Sequence, residues 1–556
     1  MKTPLALPLG LFAASGLVGM WAAYDRAFAW YRFEILLIGI AISLLIASLN
    51  GVTNFLSLTK DTLTSVLIWT FLIASTLLSL YFVTQFDFSK LATKMPWISP
   101  IGTWLNALIP QFAFIPLYPN NIAGILELAL PIGVALLWKN SLHRNGAFFL
   151  AIFIVVVLAF GMLMTASRAG WLALIIGGTM MALVAWMQHD SFSSKTNRRT
   201  LVVVTLILLA IALIALVSFR QLIWNWVEIF YATSDEYSRA ELYRQTWRLI
   251  QDYVFTGSGL GTFPMVYSTY ALLIHVFFLP HAHNIFLQIW IEQGLVGLVA
   301  FVWAIGTFYA WCWQQRHRLH WLAIGGIGAT TVLLLHGFLD APMWYANRTT
   351  ALLFFPFAIT AAALPPTPSW LGARNRKTNA VALGIAGLAL LSMGTSWKTI
   401  AAMWSANLGS VSQTQVELSA YNFPDTLVEY VRRNKDLSTS EVYFERALAL
   451  DPGNVTANQR LAQIALARAE FDTAFDYLEP AYQRDPNNPV TWQLIGAAYL
   501  GLGHLDQAYD FWSRLPNAAG KLESEAWVRY ETRGDSERAH WAWQLAARFF
   551  TERGYR

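Results

Sequence analysis

The sequence predicts an all-α chain in two parts: a polytopic membrane helix bundle over residues 1–397 and an external α-helical solenoid over 439–556, with 398–438 as a linker. Three observations lead there. Of the 556 residues, 56% are hydrophobic and 13% charged, and the mean hydropathy is +0.44. A soluble chain carries about 25% charged residues, so a wholly soluble enzyme, a disordered chain and a fibrous repeat are all excluded. The charge is also unevenly divided. Residues 1–397 hold 22 Lys and Arg against 13 Asp and Glu, whereas 398–556 hold 16 against 20. Finally, the tail echoes itself at an offset of 34, Asp451-Pro452 returning as Asp485-Pro486.

Backbone groups in lipid must be satisfied within the segment, so long apolar runs read as helices of about 17–25 residues. Eleven such runs lie near 5–23, 33–49, 62–83, 121–138, 147–165, 169–187, 200–219, 284–312, 320–339, 349–364 and 378–397. The first lacks a small-residue cleavage site and is read as a span, not a removed signal. Lys139 and Arg144, then Lys195, Arg198 and Arg199, then Arg316 and Arg318, then Arg374, Arg376 and Lys377 occupy alternate loops. Basic loops stay in the cytoplasm. The N-terminus is therefore expected inside, and connections 84–120 and 220–283, loop 340–348 and the tail outside. Arg26 and Arg32 run against this rule. The pI near 9.1 reflects these loops, and no nucleic-acid partner is expected. Cys312 is the single cysteine, so it forms no disulfide within the chain.

In the tail, the 34-residue offset also aligns Asn458 with Trp492, Leu461 with Ile495 and Ala474 with Ala508. Trp492, Ile495, Gly496, Tyr499, Ala508 and Trp512 stand at the spacing of a helix–turn–helix unit, and the stretches 458–491 and 492–525 resemble tetratricopeptide repeats. Stacked repeats make a concave surface that binds a protein partner or shapes a neighbouring site.

Ionisable residues at membrane depth are costly and usually serve function. By the topology above they gather outside: Arg168 in a tight turn between two spans, Arg239, Arg244 and Arg248 in the large loop, His281 and His283 before the eighth span, then His336, Asp340 and Arg348. A cationic cluster there calls for an anion. The bland alternative is that Arg168 reaches lipid headgroups and the loop arginines pair with nearby acids. Two histidines two apart suggest metal, but no third ligand stands at suitable spacing, so no metal and no cofactor is expected.

His283-Asn284, nine residues, then Gly294-x-x-Gly297 resembles the signature of the O-antigen ligase and O-antigen polymerase superfamily. Ser167-Arg168 with Trp171, Arg239 to Tyr243 followed by Gly257-Ser-Gly259-Leu-Gly261-Thr-Phe263, Tyr118-Pro119-Asn120-Asn121, and the His336/Asp340 pair resemble further motifs of that family. Tyr243 departs from the common Trp, and the lipopolysaccharide ligases generally lack the appended repeats. The resemblance implies a GT-C-like, metal-independent glycosyltransferase of a bacterial cytoplasmic membrane, its repeats on the periplasmic side. Its donor would be a polyprenyl-diphosphate-linked glycan held partly in membrane lipid, its acceptor a hydroxyl on a glycan, lipid or protein. His283 would be the base, Arg168 and Arg239 would stabilise the diphosphate, and Asp340 or His336 would orient the site. Arg244, His281, His336, Asn284 and Asn121 would contact substrate. A polymerase and a protein O-glycosylating ligase are the alternatives within the class. A flippase would spread polar residues through the midplane, and a scaffold would leave the cluster unexplained.

Overall fold

The computed structural model describes residues 3–48, 60–112, 116–140, 145–187, 239–274, 276–316, 319–345, 347–364 and 396–553. Among them helix is the extended regular element, with one isolated bridge between Asn422 and Thr426. Seven described helices are long and apolar enough to cross a membrane, Arg26–Ser48, Thr64–Gln85, Pro119–Asn140, Gly146–Met164, Arg168–Trp186, Ile285–Gln314 and Trp321–Leu339, joined by the shorter apolar Ala6–Ala22 and Thr349–Ala363. These account for nine of the eleven expected spans. The spans near 200–219 and 378–397 fall outside the described residues but for the last two positions of the second. The bundle wears its apolar side chains outward, as a lipid solvent allows: Phe149 is 62% exposed and Ile175 67%.

Trp321–Leu339 packs between Pro119–Asn140 and Arg168–Trp186, while Ala6–Ala22 packs along Ile285–Gln314. Two expectations change. Arg32 is not in a loop: the second span begins at Arg26, and Arg32 is buried against Glu292. An arginine neutralised inside the bundle is exempt from the loop rule. Residues 398–438, expected as a linker, are mostly helical, and Trp397–Ser419 packs along Ser438–Leu450 as a further helix pair.

Two helix pairs follow, Val455–Arg468 with Phe471–Arg484 and Pro489–Gly501 with Leu505–Trp512. Asn454 and Asn488 cap their first helices by accepting from Ala457 N and Val490 N. A Cβ on Gly496 would lie 2.4 Å from the buried Trp512 ring, so only glycine lets that pair close. Ala518–Glu525 and Ser536–Arg553 complete the stack.

The membrane half does not merely lie beside these repeats. Arg460, buried in the first repeat, donates to Asp252 at 2.7 and 3.2 Å and covers the Tyr270 ring at 3.5 Å. Thr456 donates to Asp252 at 2.7 Å, Lys521 to Leu272 O at 3.2 Å and Arg248 to Asn487 O at 2.9 Å. The segment 239–274 is thereby seated on the repeat helices.

Candidate active site

Trp321–Leu339 ends at Asp340, whose extended backbone (φ −159°) leaves the helix while its N–H still donates to His336 O. Ile285–Gln314 begins at Asn284, whose Oδ1 accepts from Phe286 N at 2.9 Å and Leu287 N at 3.1 Å. Just before that cap, His283 takes a left-handed backbone, φ +51°. This turn brings both imidazoles to one carboxylate. His281 Nε2 lies 2.8 Å and His283 Nδ1 3.0 Å from Asp340 Oδ1, with the two rings 4.1 Å apart. Ala341 N donates to the same oxygen at 2.7 Å and Asn120 Nδ2 to Oδ2 at 2.9 Å.

Asp340 is 2% exposed. Burial by itself would raise its pKa, but the hydrogen bonds from His281 and His283, with their charge, hold it well below the usual carboxylate range. An ionised carboxylate only accepts, so the nitrogens facing it carry protons. Burial keeps His281 below the ordinary imidazole range against the pull of Asp340. In neutral His283 the lone pair is then left on Nε2. Its side chain is 23% exposed, the more open of the two.

Cations gather around this group. Arg239, the first residue of Arg239–Asp252, donates to Leu339 O, the carbonyl next to Asp340. Lys94, in the turn before Ile98–Leu108, lies within electrostatic reach of Arg168, Arg239 and Asp340. Partial enclosure, then the two guanidinium groups, hold its ammonium below the ordinary lysine range. Sequence reasoning missed Lys94, which stands in no motif. Its one signal was a basic residue in a connection expected outside, where lysine is uncommon. Tyr243 donates to His283 O at 2.8 Å, tying the arginine helix to the histidine turn.

Several expected contacts lie elsewhere. Arg244 is exposed, paired with Glu241 at 2.5 Å, and lines a groove of about 620 Å³ with Trp492 and Lys521, on a different side of its helix from Arg239 and Tyr243. His336 is buried against Glu127 at 2.6 Å inside the bundle, since one helical turn before Asp340 the chain is already among apolar neighbours. Asn284 is occupied by capping, and its Nδ2 donates to Phe338 O at 3.1 Å. Asn120, not Asn121, reaches Asp340. The side chain of Arg348 lies outside the described residues.

The glycines of the signature act through backbone. Gly294 has φ +71°, and a Cβ there would sit 2.1 Å from Phe255 O. Gly257, φ +72°, meets the Glu292 carbonyl carbon in the same way. Ser258 N donates to Ile291 O at 2.7 Å and Leu295 N to Val254 O at 2.8 Å. The Gly-rich turn is thus locked onto the kink of the histidine-bearing helix.

The third potential metal ligand absent from local spacing is supplied by the fold. His281, His283 and Asp340 offer ligand atoms within 4.8 Å of one another. Their N···O separations of 2.8 and 3.0 Å are hydrogen-bond distances. A tetrahedral ion about 2.0–2.1 Å from each would need the atoms to spread. The donor set suits an ion; the present geometry suits an Asp–His pair.

Comparison with known families agrees with the motifs. A family model described as O-Antigen ligase matches residues 153–302, which contain Arg168, Arg239, His281, His283 and Gly294, and a Tetratricopeptide repeat model matches 465–527. No curated protein and no solved structure matches the chain. Lys94, Asn120 and Asp340 reach the site from outside the matched segment. The chain thus combines apolar helices long enough to cross a membrane, a segment similar to the O-antigen ligase model, and tetratricopeptide repeats.

Proposed function

We propose that the protein transfers a glycan from a polyprenyl-diphosphate donor to an acceptor hydroxyl at the outer face of the cytoplasmic membrane. The O-antigen ligase match supports a membrane glycosyltransferase of ligase or polymerase type in general. The observation that carries the finer reading is His283 on Asp340: an imidazole oriented through Nδ1 by a buried carboxylate, which leaves Nε2 as the nitrogen to accept a proton. That arrangement suits a general base near neutral pH. His283 takes the acceptor proton as the hydroxyl oxygen attacks the anomeric carbon, and the bond to the diphosphate breaks. Arg168, Arg239 and Lys94 stabilise the charge that develops on the leaving phosphate. His281 and Asn120 hold Asp340 in place rather than touch substrate.

The test is transfer from a labelled polyprenyl-diphosphate oligosaccharide by the full chain in lipid nanodiscs. His283→Ala should bind the donor normally yet lose about 10²–10⁴-fold in rate. Arg168→Lys and Arg239→Lys keep the charge but lose the planar fork, and should weaken both donor binding and rate. Near-normal transfer by His283→Ala removes the base assignment. Products lengthened on the lipid carrier identify a polymerase; glycan appearing on a separate acceptor identifies a ligase.

A further inference from the structure

Glu292 sits in a helix otherwise composed for lipid and is 2% exposed. A carboxylate at that depth needs partners, and its partners lead to the site. Gln288, one turn earlier, donates through Nε2 to Glu292 Oε1 at 2.8 Å, and its Oε1 accepts from Ala282 N at 2.7 Å. Ala282 is the residue between the two site histidines. The other oxygen, Glu292 Oε2, accepts from Trp344 Nε1 at 2.8 Å and lies 3.5 Å from Arg32 Nη2. Arg32 Nη1 in turn donates to Trp344 O at 2.7 Å. Trp344 follows Asp340 by four residues. One buried carboxylate therefore grips both chain segments that meet in the site, the one carrying His281 and His283 and the one beginning at Asp340.

We infer that Gln288, Glu292 and Arg32 are positioning residues: a hydrogen-bonded frame inside the bundle that sets His283 against Asp340. The inference rests on the proposed role of His283 as base. A left-handed non-glycine residue such as His283 is strained and persists only where its surroundings dictate it. The bond from Ala282 N to Gln288, one residue before His283, fastens that turn from below, while Tyr243 fastens it from above through His283 O. The three frame residues act through the backbone at Ala282 and through Trp344.

The frame has a donor–acceptor parity that can be tested. In Glu292→Gln the new amide keeps Trp344 through its oxygen, and its NH₂ then faces the NH₂ of Gln288. If Gln288 turns to accept from it, its own NH₂ meets the Ala282 N–H, donor against donor. Gln288→Glu alone sets one carboxylate against another. The double variant Gln288→Glu/Glu292→Gln restores the hydrogen bonds to Ala282 and Trp344, since the carboxylate at 288 accepts from Ala282 and from the amide at 292, whose oxygen accepts from Trp344; Arg32 then faces that amide oxygen in place of a carboxylate, so recovery is partial. Buried net charge stays the same.

The experiment measures kcat and donor KM on the full chain in nanodiscs, with hydrogen exchange at the 281–284 turn. A misplacement of about 1 Å costs about 100-fold in rate. Each single variant should lose kcat on that scale with donor KM little changed, and its Ala282 amide should exchange faster. The double variant should recover by about tenfold or more in both readouts. Singles with wild-type kcat and wild-type exchange overturn the frame. So does a double variant no better than the singles, or a loss of activity that merely follows a lowered melting temperature. Exchange at Ala282 needs no substrate, so a wild-type protein inactive on the chosen donor would count against the transferase reading, while exchange still decides the frame.

Discussion

Cutting the link between Asp252 and Arg460 should free the arginine-bearing helix from the repeats. The Asp252 carboxylate accepts twice from Arg460, at 2.7 and 3.2 Å, and once from Thr456 at 2.7 Å. Arg460 is 1% exposed, and its remaining partners are Tyr253 Oη at 3.1 Å and the Tyr270 ring. Asp252→Ala leaves that guanidinium buried without an anion. Removing one partner of a buried pair costs about 3–5 kcal/mol. The Asp252 side chain keeps 13% of its exposure, which places the loss near the lower end, about 3 kcal/mol. At about 1.4 kcal/mol per tenfold, opening of this contact becomes roughly 100-fold more frequent. Hydrogen exchange of the full chain reads this directly: amides in 242–256 and 455–468 should speed up together by about that factor, with transfer falling because Arg239 opens the same helix. The apolar pair Asp252→Leu/Arg460→Met should recover much of the protection, since well-packed apolar replacements of buried ion pairs are often neutral. Unchanged exchange would refute the reasoning. So would equal acceleration throughout 471–530, which would mean the repeats had unfolded instead of separating.

Three further outcomes follow from the geometry. Gly294→Ala should lower the melting temperature and the yield, through about 1–3 kcal/mol of backbone strain and the contact with Phe255 O; Gly306→Ala in the same helix, where a Cβ meets nothing within 4 Å, should be neutral or mildly stabilising, and equal effects would refute the close approach. Asp340 is depressed in the folded state, so its contribution is present above its unfolded value of about 3.9 and is lost as pH falls toward the folded value. The stability gap between wild type and Asp340→Asn should therefore be widest near neutral pH and shrink below about pH 4, and a gap that widens on acidification in thermal unfolding would count against the assignment. Transfer should survive excess chelator; complete loss restored by a divalent cation would make His281, His283 and Asp340 ligands to an ion.

Composition and hydropathy were enough to read a helical membrane bundle with helical repeats, because helix length in lipid and the 34-residue repeat are local properties of the chain. The charge rule failed at Arg32 because its partner, Glu292, is 260 positions away, and a rule about loops cannot see an ion pair inside the bundle. The helices within 398–438 were hidden from the sequence for a similar reason. Trp397–Ser419 owes its place to packing on Ser438–Leu450, while its own sequence carries no repeat signature.

At the site the sequence by itself determined the kinds of residue and their approximate place: His283, Arg168 and Asp340 stand beside span ends because a charged side chain at a span terminus avoids the lipid core, and Arg239 opens a polar helix. It also determined the glycines, since φ +71° at Gly294 excludes most side chains on steric grounds alone. Which residues meet was decided only in three dimensions. Asn120 bonds Asp340 and Lys94 lies within its electrostatic reach while Arg244 and His336 turn to other partners, because a step of one residue on a helix rotates a side chain by about 100° and no motif spacing records which helix lies opposite. The seating of 239–274 on Arg460 is likewise a tertiary fact: two polar segments 208 residues apart in sequence exclude water together and satisfy each other's charges.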